Sequence, residues 1–411
     1  MRVCLLLLLA CTLCAQDAIL QRPDVRKALD YLKAHHEEHL ANQVRIAEIP
    51  APTFHEAERA RYMEKEFRRV GLKNVEIDKQ GNVLGWRPGK SPKAMVIAAH
   101  LDISFAPGVN TKVRKEGKRW FAPGIGDDSR GLAALLAIVE ALNHAAIETE
   151  KTLLFVANVG EEGLGDLNGV RYLFGQSPHK SKLDSFISID GTSPARIVNG
   201  GTSVKRYRVT LRGPGGHSYG NFGRPSAVHA GALIVAKLAV LPVPAKPKTT
   251  YNVGKFTGGT TINAIAEEAV LEVDLRSEDP GELDKLELKF LESVRLGVAE
   301  ENAMRKASGT LVKEEHKIVS NRPGGQTAAD NPLVRAALWA SKATGHSPSL
   351  GYSSTDSNLP ISLGIPAVTL GGGGRGNNAH SLDEWFEPDD AFKGPQMVLL
   401  TVLAFGQSRI P

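Results

Sequence analysis

Beyond Cys14 the chain has no cysteine; Cys4, Cys11 and Cys14 all fall in the amino-terminal segment MRVCLLLLLACTLCAQDA. Over the rest of the sequence, disulfides, zinc–thiolate sites and a cysteine nucleophile are excluded, so any metal must be held by histidine and carboxylate. A concentrated basic run is also missing. The net charge of +5 is the small difference between 50 Lys+Arg and 45 Asp+Glu. The densest basic stretch, TKVRKEGKR (111–119), is broken by Glu116 and reads as a solvated hairpin, not a nucleic-acid footprint. There are no internal repeats and no low-complexity tract beyond Gly371–Gly374. Nor is there a run long enough to span a bilayer, since the leading apolar stretch covers only roughly ten residues. Behind Arg2 and ahead of small residues, that stretch reads as a secretory signal peptide over residues 1–15 with cleavage near Ala15, so export to the periplasm or the exterior is expected. The rival reading takes Leu8-Leu9-Ala10-Cys11 as a lipoprotein box that anchors Cys11.

A chain of 411 residues exceeds one ordinary core and implies two domains. Apolar spacing predicts a helix over 23–48 (Val25, Leu29, Leu32, Leu40, Val44, Ile46) and another over 55–71. AMVIAAHLD (94–102) is an almost continuous apolar run, as in a buried parallel strand. A helix over 129–145, a strand over 152–160, a short helix around 168–174 and a strand over 186–192 follow. This alternation predicts an α/β domain with a mostly parallel central sheet flanked by helices. The texture changes after Thr202. VKRYRVTLRG alternates polar and apolar residues, and a helix (226–241), strands (about 250–257 and 267–277), a helix (281–307) and a strand (310–319) complete the order βαββαβ of the ferredoxin-like split motif. The α/β texture returns after Arg322 with a helix over 332–343, a strand over 366–372 and a helix over 389–405. The expected division is a larger domain in two parts, 22–202 and 321–411, with a small α+β domain inserted over 203–320.

Ionisable residues gather at the carboxyl ends of the predicted strands, where open α/β sheets hold their ligands. Residues 153–165 read LLFVANVGEEGLG, with two adjacent glutamates at the mouth of a buried strand. Two such carboxylates repel, and burial makes each costlier to ionise. A pair of divalent cations resolves the problem. His100 and Asp190 serve one ion, Glu162 and His380 the other, and Asp127 bridges both, with zinc accepting this nitrogen and oxygen set. Glu161 is left beside the metals to take a proton from a bridging water. Asp102, two residues from His100, accepts the second imidazole proton. Singly, each has a plainer reading: a helix cap for Asp127, a turn for Asp190, a solvated acidic pair for Glu161-Glu162. Their recurrence at one edge of one sheet favours the metal centre.

The set HLD, GIGDDSRG, VGEEG, IDG and NNAHS, in this order and spacing, resembles the M20 family of dinuclear zinc peptidases and amidohydrolases over nearly the whole chain beyond the leader. The resemblance implies two zinc ions per subunit, with cobalt or manganese as possible substitutes, Glu161 as general base and Asp102 supporting His100. It implies that the inserted domain is a lid and dimerisation domain whose GPGGHSYG supplies His217 to polarise the scissile carbonyl in the partner's site of a homodimer. It also implies that Asn263 and Arg276 contact a substrate carboxylate, although Arg276 also reads as an exposed strand residue facing Glu272 and Asp274. DDSRG departs from the family, since many members carry lysine where Ser129 and Arg130 stand.

The expected activity is hydrolysis of amide bonds in small peptides, with release of an amino-terminal residue preferred to carboxypeptidase action. N-acyl amino acids and carbamoyl substrates fit the same apparatus. Two other readings remain: a non-catalytic peptide-binding relative, and a serine hydrolase using Ser218 in GHSYG, a formal G-x-S-x-G match.

Overall fold

The computed structural model describes residues 18–305 and 309–407. The leader and its three cysteines lie outside the described residues. Among the described residues no helix is long and apolar enough to cross a membrane. Thr202–Gly325 forms one compact unit, and the chain up to Gly201 and from Gln326 onward forms the other.

The larger unit opens with α1 (Pro23–Ala34), α2 (His36–Ala47) and α3 (Ala57–Arg69). The single helix expected over 23–48 is therefore two. The break falls at His35, whose Nδ1 lies 3.0 Å from the Tyr31 carbonyl oxygen and whose ring stacks on Tyr31 at 3.9 Å. Strands β1 (Lys73–Ile77), β2 (Val83–Arg87) and β3 (Ser91–His100) come next, then a small hairpin, β4 (Arg114–Glu116) and β5 (Arg119–Phe121). Helix α4 (Ser129–His144) leads to β6 (Lys151–Asn158), α5 (Asn168–Gly175), β7 (Leu183–Ile189) and β8 (Arg196–Gly201).

The smaller unit holds β9 (Ser203–Arg212), β10 (Gly216–His217), α6 (Ala227–Leu238), β11 (Thr249–Gly258), β12 (Ala264–Ile265), β13 (Glu268–Ser277), α7 (Pro280–Met304) and β14 (Lys313–Arg322). Its four long strands form an antiparallel sheet in the order β11-β13-β9-β14. Register places Tyr207 opposite Val273 and Val209 opposite Leu271. This apolar face packs against Ile234 and Leu238 of α6 and Leu286, Phe290 and Val294 of α7. Asp279 caps α7 by accepting the Glu282 N–H at 2.9 Å ahead of Pro280, the start expected of such a helix. The polar residues of β9 and β13 pair across the sheet, Arg208 with Glu272 and Arg206 with Asp274.

The chain then returns through β15 (Gly325–Gln326), α8 (Pro332–Ala343), β16 (Ser349–Ser353), α9 (Asn358–Ser362), β17 (Ala367–Leu370), β18 (Arg375–Asn377), β19 (Trp385–Glu387) and α10 (Lys393–Gln407). The main sheet runs β1-β2-β6-β3-β7-β17-β8-β15, with β16 paired to β8. Its centre, β6-β3-β7-β17, is parallel, while β2 and β8 pair antiparallel to their inner neighbours. Both faces are covered, which explains the unbroken apolar run of β3. Met95, Ile97 and Ala99 face α4 and its neighbours, whereas Ala94, Val96 and Ala98 face α5 and α9. Strands β18, β19, β5 and β4 make a separate four-stranded sheet.

Candidate metal centre

The four parallel strands end at one edge, and the chemistry-bearing residues follow directly. His100 closes β3, Glu161 and Glu162 follow β6, Asp190 follows β7, and β17 leads through the glycine loop to His380. Asp127 sits just ahead of α4, joined to Asp128 by a cis peptide bond. His100 Nε2 lies 3.0 Å from Asp127 Oδ1, and His380 Nε2 lies 3.2 Å from Asp127 Oδ2. His380 Nε2 is also 2.6 Å from Glu162 Oε1. One carboxylate thus stands between two imidazoles, one oxygen facing each. His100, Asp127 and Glu162 offer ligand atoms within 4.8 Å of one another.

Asp102 faces the His100 ring with two of its oxygens. His100 Nδ1 lies 3.0 Å from the Asp102 main-chain oxygen and 3.5 Å from its carboxylate. That carboxylate also accepts the backbone N–H of Glu161 on one oxygen and of Glu162 on the other, each at 2.9 Å, plus the Thr53 hydroxyl. The paired glutamates are therefore fixed through their backbone. Ahead of them Gly160 takes a φ of +64°, which glycine adopts without strain. Asp128 is spent on structure: its oxygens accept the N–H of His100 and of Gly131, capping α4.

The electrostatics follow from crowding. Burial pulls the His100 imidazole down, but Asp102 and Asp127 outweigh it and hold the ring well above its usual value. Asp127 and Glu162 push His380 up to about 10. Burial, then the charge of Asp127, raises Asp190 to about 7. Buried carboxylates outnumber the imidazoles, and the imidazoles are driven toward the cationic form to balance them. A divalent cation meets the same demand without a proton, and the donors are imidazole nitrogen and carboxylate oxygen with one shared carboxylate. The residues present fit a metal pair.

In the smaller unit, His217 and Asn263 lie on adjacent short strands and loops. β10 pairs with β12, the Ser218 N–H donates to the Asn263 carbonyl at 2.9 Å, and both residues line a cavity of about 740 Å³. His217 Nδ1 accepts the backbone N–H groups of Tyr219 and Gly220 at 3.3 and 3.2 Å, which leaves the hydrogen on Nε2. Arg276 is placed elsewhere, ion-paired with Asp274 of its own strand at 2.6 Å.

Further residues support the main site, and of these Glu384, Arg59 and Glu56 were not picked out from the sequence. Glu384, 2% exposed, accepts the N–H groups of Gly124, Gly126 and Asp127 at 2.7, 2.9 and 3.0 Å; burial and then Asp127 raise its carboxyl to about 7. Arg59, fully buried, donates to the carbonyls of Ala47, Ile49 and Leu101, and burial lowers it to about 10. Its signal was present, because it stands four residues before Met63 on the buried face of α3. Glu56 accepts the N–H of Gly160 at 3.1 Å. Arg130 is buried and donates to the carbonyls of Gly372 and Ala391 at 2.7 and 2.8 Å. Asp356, within TDSN (355–358), accepts from Asn158 Nδ2 at 2.8 Å.

Together these describe an α/β protein with a buried histidine–carboxylate centre of the kind that holds divalent metal. The chain belongs to peptidase family M20/M25/M40, whose model matches residues 96–404. It is therefore a hydrolase acting on peptide or amide bonds, in a metal-dependent family. YqjE of Bacillus subtilis (strain 168) is 26% identical over 375 residues, covering 87% of this chain and 95% of that protein. The structure resembles aminopeptidase PepT from Bacillus cereus, with a TM-score of 0.73 and 22% identity over 90% of this chain and 99% of that one. It also resembles YxeP of Bacillus subtilis, a dinuclear metal-binding peptidase of the M20 family, with a TM-score of 0.66 and 16% identity over 90% and 98% of the two chains.

Proposed function

We propose that the protein is an exported dinuclear zinc hydrolase that cleaves amide bonds of small peptides. The observation carrying this reading is the Asp127 carboxylate set between His100 and His380, with Glu162 in contact with His380. His100, Asp127 and Asp190 would hold one ion, and Asp127, Glu162 and His380 the other. Ions held there would supply Lewis acidity to a water and to the amide carbonyl. Glu161 accepts the proton from the attacking water and delivers it to the leaving nitrogen. Asp102 keeps Glu161 and Glu162 in place by holding both backbone N–H groups. His217 Nε2, left as a donor by the backbone bonds to Nδ1, would donate to the carbonyl oxygen as negative charge develops. In this reading Thr202–Gly325 is a ferredoxin-like lid and dimerisation domain, Asn263 meets a substrate carboxylate, and a homodimer forms through α6 and the neighbouring edge strand β11. Arg276 would join Asn263 only by giving up its pairing with Asp274.

The serine-hydrolase alternative finds little support in the local structure. Ser218 follows the two-residue strand β10, and the next helix begins only at Ala227, whereas a nucleophile elbow passes from strand to helix in one sharp turn. The test is turnover of a panel of dipeptides, tripeptides and N-acyl amino acids with zinc added, read by mass spectrometry. Release of amino acids from the peptides, abolished by a chelator and untouched by a fluorophosphonate, is the expected result. Binding without release would favour a capture protein, and deacylation alone would move the substrate to N-acyl amino acids.

A further inference from the structure

Asp127 and His380 are brought together from positions far apart in sequence, and two buried side chains tie their segments to each other. Arg130, in the first turn of α4, donates to Gly372 and Ala391, residues that flank the excursion carrying His380. Glu384, four residues beyond His380, reaches back to the Gly124–Asp127 turn. One Glu384 oxygen takes two consecutive N–H groups, including that of Asp127 itself, and the other takes Gly124. His380 stands at a φ of +66°, a backbone setting uncommon for a residue with a side chain and held only where the surroundings fix it. Its side chain is half-exposed, so burial of the ring does not hold it.

We propose that Glu384 is a positioning residue for the metal pair, resting on the metal-centre reading above. By locking the turn that carries Asp127 to the loop that carries His380, it sets the spacing between the shared carboxylate and the second imidazole. An acceptor with three N–H donors, nine-tenths or more buried, has no solvent substitute. Deleting it removes the tie that reaches the Asp127 N–H itself, leaving the segments joined only further out, by the pairing of β19 with β5 and by Arg130. Residues that orient metal ligands in this way typically account for 10–100-fold in metal affinity.

The test is zinc titration of the metal-stripped full-length protein by calorimetry, for native, Glu384→Ala and Glu384→Gln chains. Cobalt(II) absorption spectra and apo-protein melting are recorded in parallel. The expected result is about 10–100-fold weaker zinc binding for Glu384→Ala at one or both sites, with an altered cobalt spectrum. Glu384→Gln, which keeps one acceptor oxygen and the side-chain volume, should fall between native and Glu384→Ala. Zinc affinity and cobalt spectrum equal to native in both variants, with only the melting temperature lowered, would show a scaffold residue and overturn the proposal. A native chain that binds no zinc would overturn the metal-centre reading itself, so the two failures are separable.

Discussion

Replacing Glu161 with glutamine tests the division of labour between the adjacent glutamates. The carboxylate loses its capacity to take a proton while keeping its size. The bonds that fix this segment run from the Glu161 and Glu162 backbone to Asp102, so the substitution leaves them in place. Glu162, His100, Asp127 and His380 keep their geometry, and metal content should match that of the native enzyme. General-base catalysis is worth about 10²–10⁴ in rate, or about 2.7–5.4 kcal/mol of barrier. Glu161 is 5% exposed, which leaves little room for a solvent base to replace it, so the upper half of that range, about 10³–10⁴, is expected in kcat. Peptide hydrolysis would be followed at saturating substrate, with zinc content measured on the same samples. A kcat within about tenfold of native, or a loss of bound metal, would refute the assignment of base to Glu161 and ligand to Glu162.

Chelation should destabilise the protein as well as inactivate it. A ligand held at about 1,000 times its Kd contributes about 4 kcal/mol to the folded state, so thermal scans of stripped and zinc-loaded protein should differ by several degrees, and coincident curves would argue against a bound ion. Arg130→Met leaves the buried carbonyl of Gly372 without its donor, at about 1–3 kcal/mol, while the Ala391 carbonyl keeps the Gly394 N–H at 3.2 Å; urea unfolding should show a loss of about 1–3 kcal/mol, and a loss within the error of the measurement would mean that the Gly372 carbonyl finds another partner. A pH effect is expected away from the metals, at Glu140. Burial raises this carboxyl, but hydrogen bonds from His39 and Arg69 outweigh it and hold it below its usual value. The stability it contributes is complete above the unfolded pKa, about 4.3, and is lost as pH falls through the lower folded value. Glu140→Gln should therefore flatten the acid limb of the urea midpoint below that pH, and an unchanged limb would count against the pairing.

The strands that position the site were readable because burial on both faces removes the need for polar residues, leaving runs such as AMVIAAH that end abruptly in ionisable side chains. Those abrupt endings also made His100, Glu161, Glu162 and Asp190 conspicuous. The short strands β8 and β16 escaped notice because they are short and rich in glycine and serine, without the apolar run that marked the central strands. The break at His35 was not visible because apolar spacing continues across it, and the interruption is a local one, with His35 at φ −98° and ψ 20° while the His35 N–H still reaches Tyr31 and the His39 N–H still reaches His35. Glu384, and the contacts made by Arg130, were hidden for a different reason. Each acts on backbone groups more than two hundred positions away in the chain, and a backbone N–H or carbonyl carries no residue identity for a motif to record.

The same distinction bears on the choice of side chain at Arg130. A lysine presents one ammonium, whereas the Arg130 guanidinium reaches two carbonyls at once in fixed geometry. Both carbonyls belong to the chain around the His380 loop, one at its glycine-rich entry and one beyond its exit. A side chain in the Asp127 segment therefore acts on the chain around the opposite ligand, through two backbone acceptors. Arg130→Lys keeps the charge and loses the fork, so it should leave the Asp127 side of the centre intact while loosening His380. In a cobalt-substituted protein this predicts a spectral change at one site of the pair and retention of the other; an identical change at both would mean that Arg130 acts through Asp127 instead.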